Sequence, residues 1–179
     1  YVDSLLKRGD SRYTYRNSTL NNIFSALNYI TTEGGSAIRM GAKVNEKLPP
    51  LNNPKIIDYS TEYRTELGDI YLPAKCKFFL GDSTGLQCVG YIFNVPIAMA
   101  NVIPLKYQPY TSNQDLFIPK KVFSKKEKRF LTFPEIINSR VFHYYHQKEY
   151  DAAELIPISN TSEEILELVN KLLKIPAKE

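Results

Sequence analysis

The sequence predicts an α/β domain built on a mainly parallel sheet with helices on both faces. Three observations carry that expectation. Short apolar runs of strand length alternate with segments whose apolar residues recur at helical spacing. Clusters of Gly, Pro and Asn punctuate the alternation. Residues 95–101 are apolar almost throughout, as a strand covered on both faces is, and residues 75–80 carry apolar Cys76, Phe78, Phe79 and Leu80.

Taken in order, residues 17–33 read as a helix, with Asn17 or Ser18 as N-cap and Leu20, Ile23, Phe24, Leu27 and Ile30 along one face. Gly34 and Gly35 stop it in a left-handed turn. Residues 36–40 form a short strand closed by Gly41, the Pro- and Asn-rich stretch 44–54 is a loop, and residues 55–59 form a second strand with Ile56 and Ile57 buried. A short helix over 65–74 runs into a strand over 75–80. A tight loop at 81–84 opens a helix over 85–93, and 95–101 is a buried strand.

From residue 104 to 150 the pattern loosens into a Pro-, Lys- and Tyr-rich region. Within it, Thr132-Phe-Pro-Glu135 opens a short helix reaching Arg140, because Pro is tolerated in a first turn. Thr161 or Ser162 caps a C-terminal helix over about 161–174, with acidic residues in its first turn and Ile165, Leu168, Val169, Leu172 and Leu173 on its apolar face.

The chain of 179 residues suits a single domain over 1–179 with a real core. No run approaches the roughly 18 apolar residues of a membrane span, and no secretory leader is visible. The opening on Tyr1 rather than Met leads us to expect a fragment whose preceding residues are missing. Cys76 is expected on a buried strand and Cys88 on the apolar face of the next helix, both as free thiols suited to a reducing cytosol.

The net charge of +4 is mild, but Lys120, Lys121, Lys125, Lys126, Lys128 and Arg129 fall within ten residues. That run reads either as a solvated loop or as a surface for anionic lipid headgroups or a lipid-linked acceptor, to which Phe123 and Phe130 would contribute. Nucleic acid is not expected as a partner, since no recognised binding motif accompanies the run.

Ligands of open parallel sheets lie beyond the carboxyl ends of the strands. Here those ends are Arg39-Met-Gly41, Asp58-Tyr-Ser60, Gly81-Asp-Ser-Thr-Gly85 and Asn101. In the loop Asp82-Ser83-Thr84-Gly85-Leu86, backbone N–H groups and two hydroxyls suit a diphosphate; equally, the same residues can simply make the turn and cap the helix. Arg16 and Arg39 are either further phosphate ligands, for which a guanidinium fork is apt, or surface residues. Asp58 and Tyr59 lie where a nucleobase or ribose would sit, although Asp58 also suits a cap or a structural acceptor. His143 and His146 lack the neighbours of a metal site, and no Walker loop, Gly-x-Gly-x-x-Gly or Gly-x-Ser-x-Gly is present.

Tyr15-Arg-Asn-Ser18, Ile38-Arg-Met-Gly41, Ile56-Ile-Asp-Tyr59, and Asp69-Ile-Tyr-Leu-Pro-Ala-Lys-Cys-Lys-Phe-Phe79 followed by Ser83-Thr-Gly-Leu86 resemble, in order and spacing, a family of bacterial GT-B glycosyltransferases associated with surface-polysaccharide gene clusters. Asn160-Thr-Ser-Glu-Glu-Ile165 resembles the start of the C-terminal helix in many such enzymes. The resemblance implies the Rossmann-like C-terminal half of a two-domain enzyme, which binds a nucleotide-sugar and transfers the sugar to a glycan or lipid-linked acceptor.

By position, it puts Arg16, Arg39, Asp82, Ser83, Thr84, Gly85 and Leu86 at the donor phosphates, and Met40, Gly41, Asp58 and Tyr59 at the nucleoside. The family often has Arg before the aspartate of its opening strand, whereas Val2 precedes Asp3 here. The resemblance implies no metal or cofactor, a catalytic base on an N-terminal domain outside this chain, and a cytoplasmic place at the inner membrane face. Two other readings stand beside it. One is a non-catalytic binding or scaffold module of the same fold. The other is a sugar-nucleotide epimerase, for which only Asp82 and Glu62 offer acid/base groups.

Overall fold

The computed structural model describes residues 11–42, 44, 47–82, 85–107 and 112–174. The chain is a mixed α/β protein with two parallel sheets and one antiparallel sheet. After a 3-10 segment at Ser11–Arg16, a 3-10 turn at Leu20–Ile23 leads into α1 (Phe24–Thr32). The cap at this turn is Thr19, one or two residues beyond the expected Asn17 or Ser18, and its side chain makes no capping bond. Gly34 ends the helix at φ +88°, a conformation costly for any residue with a Cβ.

Strands β1 (Ala37–Ile38) and β2 (Ile56–Ile57) pair in parallel, with Ala37 opposite Ile56 and Ile38 opposite Ile57. Next come α2 (Tyr59–Glu62) and α3 (Glu66–Lys75), the latter capped by Thr65, whose hydroxyl accepts from the Gly68 N–H at 3.0 Å. Strands β3 (Phe79–Gly81), β4 (Ile97–Val102) and β5 (Leu116–Pro119) form the second parallel sheet, in that order, with α4 (Gln87–Ile92) crossing from β3 to β4.

Helices cover both faces of this second sheet. On one face Ala98 and Ala100 meet Ala26 and Ile30 of α1 and the apolar side of α7 (Ser162–Leu173). On the other, Ile97 and Met99 pack with Phe79 and with Tyr91 of α4. Every residue of β4 is buried, which the apolar run of residues 97–100 anticipated for all but Asn101 and Val102. Helix α7 buries Ile165, Leu168, Val169 and Leu172 at helical spacing behind a reciprocal Thr161–Glu164 capping box.

The largest departure from the sequence reading lies in the region where the pattern loosened. Strands β6 (Lys121–Ser124), β7 (Arg129–Phe130) and β8 (Leu155–Ile158) form an antiparallel sheet in the order β7-β6-β8. Between β7 and β8 lie α5 (Phe133–Ile137), a 3-10 turn at Arg140–His143, and α6 (Gln147–Ala152). A second core of Tyr15, Ile103, Val122, Ile136, Tyr150 and Leu155 sits there. These strands are two to four residues long, so alternation had too few positions to register, and the Lys-rich turn masked their pairing.

Both cysteines differ from expectation. Cys76 ends α3 rather than lying in a strand; its half-buried thiol donates to the Pro73 carbonyl at 3.3 Å, and burial pushes its pKa up to about 11. Cys88 is exposed, on the solvent side of α4. The residues 75–78, expected as strand, are instead the end of α3 and its exit, since Thr65 sets the start of a helix long enough to carry Lys75.

Candidate functional site

Two polar clusters occupy the strand ends that the sequence singled out, and their hydrogen bonds share no residue. The first follows β1 and β2. The Arg39 N–H donates to the Ile57 carbonyl and the Arg39 carbonyl accepts from Ser60 N–H, which extends the parallel pairing past both strands. The Arg39 guanidinium donates to Asp58 Oδ2 at 3.1 Å. Leu48 N–H donates to the same oxygen at 3.0 Å, and the Ser60 hydroxyl donates to Asp58 Oδ1 at 2.5 Å.

Burial opposes ionisation of Asp58. The Leu48 and Ser60 bonds and the charge of Arg39 outweigh it and hold the carboxyl below its usual range. Arg39 and Asp58, one assigned to phosphate and the other to nucleoside, therefore face each other. Tyr59 is buried, and its hydroxyl is spent within the chain: it donates to the Thr65 carbonyl and accepts from the Thr65 N–H. Met40 is half-buried and Gly41 is buried at φ +149°.

The second cluster gathers the carboxyl ends of β3, β4 and β5. Asp82 follows β3, and its carboxylate accepts from the Ser18 hydroxyl and, at 3.0 Å, from Asn101 Nδ2. Asn101 lies in β4 at φ +54° and exchanges bonds with Asn160: its N–H donates to Asn160 Oδ1 at 2.6 Å, and the Asn160 N–H donates to Asn101 Oδ1 at 2.7 Å. Asn160 Nδ2 donates to the Pro119 carbonyl that ends β5, and Asn22 Nδ2 donates to the Asn160 carbonyl. A left-handed Asn inside a buried strand persists only where its surroundings hold it, and such residues concentrate at working sites.

Lys120 completes this cluster. It is 3% exposed, and its ammonium donates to the carbonyls of Tyr15 at 3.0 Å and Asn17 at 2.5 Å. Burial lowers its pKa to about 8 against the opposing pull of Asp82. Two carbonyls and a nearby carboxylate offset the cost of burying an ammonium. Lys120 thereby clamps the backbone on both sides of Arg16, which is half-buried beside the Asp82 loop's partner Ser18.

Of the loop assigned to phosphate, Ser83 and Thr84 lie outside the described residues, as do Val2 and Asp3. Gly85 is exposed with open space around it, and Leu86 is half-buried at the start of α4. Among the described residues, no group of three or more His, Cys, Asp or Glu side chains is placed to hold a metal ion.

The basic run does not act as a unit. Lys120 belongs to the core, which corrects its placement on a surface for lipid. Lys121 pairs with Glu164 at 2.8 Å, and Arg129 pairs with Glu127 and, in a two-pronged bond, with Glu135. Lys125, Lys126 and Lys128 remain exposed around the β6–β7 turn. No helix among the described residues is long and apolar enough to cross a membrane.

Sequence reasoning named Asn101 only as a strand end and Asn160 only as part of a helix start. Their partnership spans 59 positions, and nothing local signals it. Lys120 carried one available signal: it directly follows the apolar strand of residues 116–119, where a parallel sheet places its ligand edge. No protein-family model, curated protein or solved structure matches the chain.

Proposed function

We propose that the chain is the donor-binding half of a GT-B glycosyltransferase, holding a nucleotide-sugar for transfer to a glycan or lipid-linked acceptor at the inner face of the membrane. On this reading the two parallel sheets belong to one Rossmann-like layer. The observation that carries it is the convergence of Asp82, Asn101 and Lys120 at the carboxyl ends of three parallel strands, with Ser18 bonded to Asp82 and the backbone of Tyr15 and Asn17 held by Lys120.

Within that crevice Arg16 and the N–H groups of the 82–86 loop take the diphosphate, and the Asp82 carboxylate takes sugar hydroxyls. Arg39, oriented by Asp58, borders the nucleoside side with Met40, Gly41 and Tyr59. The leaving diphosphate is stabilised by positive side chains rather than by a base from this chain, and activation of the acceptor falls to the domain that faces this one.

A binding or scaffold module of the same architecture is the second reading, and one observation favours it. Arg39 and Asp58 neutralise each other, and Asp82 already has two hydrogen-bond donors. A thermal-shift panel of UDP-, GDP-, CMP- and dTDP-sugars separates the two. The donor reading expects one nucleotide family to raise the melting temperature and Arg16→Ala to abolish that rise. A response to none of the panel by the chain joined to its facing domain favours the scaffold.

A further inference from the structure

We propose that the outer face of the β7-β6-β8 sheet, together with its lysine turn, seats the chain on an anionic lipid bilayer. The inference rests on the inner-membrane placement in the proposed function and gives that placement a surface; it makes no use of the donor crevice. The strand register fixes which residues share the face. Phe123 lies opposite Phe130 on one side and Ile156 on the other, and Lys121 lies opposite Ile158. Residues directly opposite in an antiparallel ladder project to the same side. Val122, Ser124 and Leu155 alternate with them and are buried on the inner side. Phe130, Ile156 and Ile158 are instead 47%, 37% and 36% exposed, and the rings of Phe123 and Phe130 meet edge to face at 5.4 Å.

Charge is polarised along this face. At the turn end, the Lys125 N–H donates to the Glu154 carbonyl at 2.9 Å, one rung beyond the Ser124–Leu155 pair. That rung puts Lys125 on the side of Phe123, and Lys126 and Lys128 follow in the turn, all three exposed. Arg129 lies opposite Ser124, on the other side of the sheet, and its ion pairs are with Glu127 and Glu135. Among the described residues, Lys125, Lys126 and Lys128 form no ion pair, and the acid beside them is Glu154. The opposite end is acidic: Ile158 leads toward α7, where Glu163 is exposed and Glu164 holds Lys121 at 2.8 Å.

Area and charge together select the occupant. With about 200 Å² for a fully exposed large apolar residue, Phe123, Phe130, Ile156 and Ile158 present under roughly 300 Å². A stable protein partner needs ~800 Å² on each side, so a second copy of the chain does not fit this face. A bilayer does, because shallow apolar burial at the headgroup boundary and attraction of lysines to anionic lipid add to one another. The turn end then faces the lipid, and the acidic start of α7 points away from it.

Co-sedimentation of the chain with phosphatidylcholine vesicles, with and without about one-third phosphatidylglycerol, tests the proposal. Binding is expected with the anionic lipid and not with phosphatidylcholine alone. Replacing Lys125, Lys126 and Lys128 together by Ser should weaken it ~100-fold, at roughly 5-fold per lysine, and remove most of its salt dependence. Phe130→Ser and Ile156→Ser should each weaken it ~10-fold, by the same factor at low and high salt, because what they remove is apolar contact. Circular dichroism of each variant checks that the fold is kept. Absence of binding to the anionic vesicles at low salt overturns the proposal, and so does equal binding to neutral ones. Full affinity in Phe130→Ser and Ile156→Ser overturns it too, since the lysines then act from a solvated loop. Capture by polyglutamate without vesicle binding overturns it in favour of an acidic protein partner. No nucleotide is present in these assays, so their failure leaves the thermal-shift test of the donor crevice intact, and the reverse holds.

Discussion

The two polar clusters at the strand ends are built from similar side chains and at very different reach. Arg39, Leu48, Asp58 and Ser60 lie within 22 positions of one another, and their bonds close one loop onto β1 and β2. The Asp82 cluster ties the 3-10 segment before α1, the ends of β3, β4 and β5, and the cap of α7 through bonds spanning 19 to 138 positions. A local cluster can fail with its loop alone, whereas a cluster shared by five elements fails with the fold. The comparison teaches that the second is the structural centre of the molecule, and that a ligand there would be read by the whole sheet edge.

The largest expected effect is therefore in the long-range cluster. Asn160→Ala removes the acceptor for the Asn101 N–H and the donor to the Pro119 carbonyl, while the backbone N–H of residue 160 still donates to Asn101 Oδ1. Unsatisfied buried groups cost about 1–3 kcal/mol each, so a loss of roughly 3 kcal/mol is expected in urea denaturation. A loss below about 1 kcal/mol would make the two clusters equivalent and remove the contrast.

Lys120 sharpens the comparison through pH. The folded chain holds its proton at a pKa of about 8, against an ordinary value of 10.5. Between those values the unfolded chain binds more protons, so this group's contribution to stability rises with pH. From pH 7 to 9.5 the gain is on the order of 2 kcal/mol. Cys76, pushed up to about 11, acts in the opposite direction because the unfolded thiol ionises first. The measurement is accordingly the difference between wild type and Lys120→Met at the two pH values, in which Cys76 cancels. A difference that does not change with pH would place the ammonium in water.

In the local cluster Arg39→Ala is expected to cost about 1–2 kcal/mol, since Asp58 keeps the Leu48 and Ser60 bonds after its ion partner is gone. Held at low exposure, the pair also gives stability that is present at neutral pH and falls away in acid as Asp58 protonates. A cost equal to that of Asn160→Ala, measured in the same urea titration, would erase the distinction in reach.

What the sequence made legible follows the same division. Local signals worked: the Thr161 cap, Gly34 as a helix stop, the buried run of β4, and the i, i+3, i+4 face of α7 all lie where residue spacing put them. The parallel pairing and the helices on both faces of the β3–β5 sheet follow from alternation. Pairings across many positions left no trace. The β6–β8 ladder joins residues 121–124 to 155–158, and no short window contains both. Asp58 and Arg39, though 19 apart, were each assigned to a ligand because spacing alone does not reveal that two strand ends are neighbours in one sheet.

The basic run shows why that blindness matters, and it gives the smallest effect. Replacing Lys125, Lys126 and Lys128 together by Ser touches only exposed side chains at the β6–β7 turn, and each such change is expected to stay within about 0.5 kcal/mol. Lys120, five residues away, should cost several times more when replaced by Ala, because two backbone carbonyls lose their donor and the end of β5 loses its hold on residues 15–17. Urea midpoints for the triple variant and for Lys120→Ala read the contrast directly. If the triple variant proved as damaging as Lys120→Ala, the turn would be part of the packed structure and unavailable to a lipid-linked acceptor. If it is neutral, vesicles with and without anionic lipid become the next measurement, with the salt dependence of binding assigned to those three lysines alone.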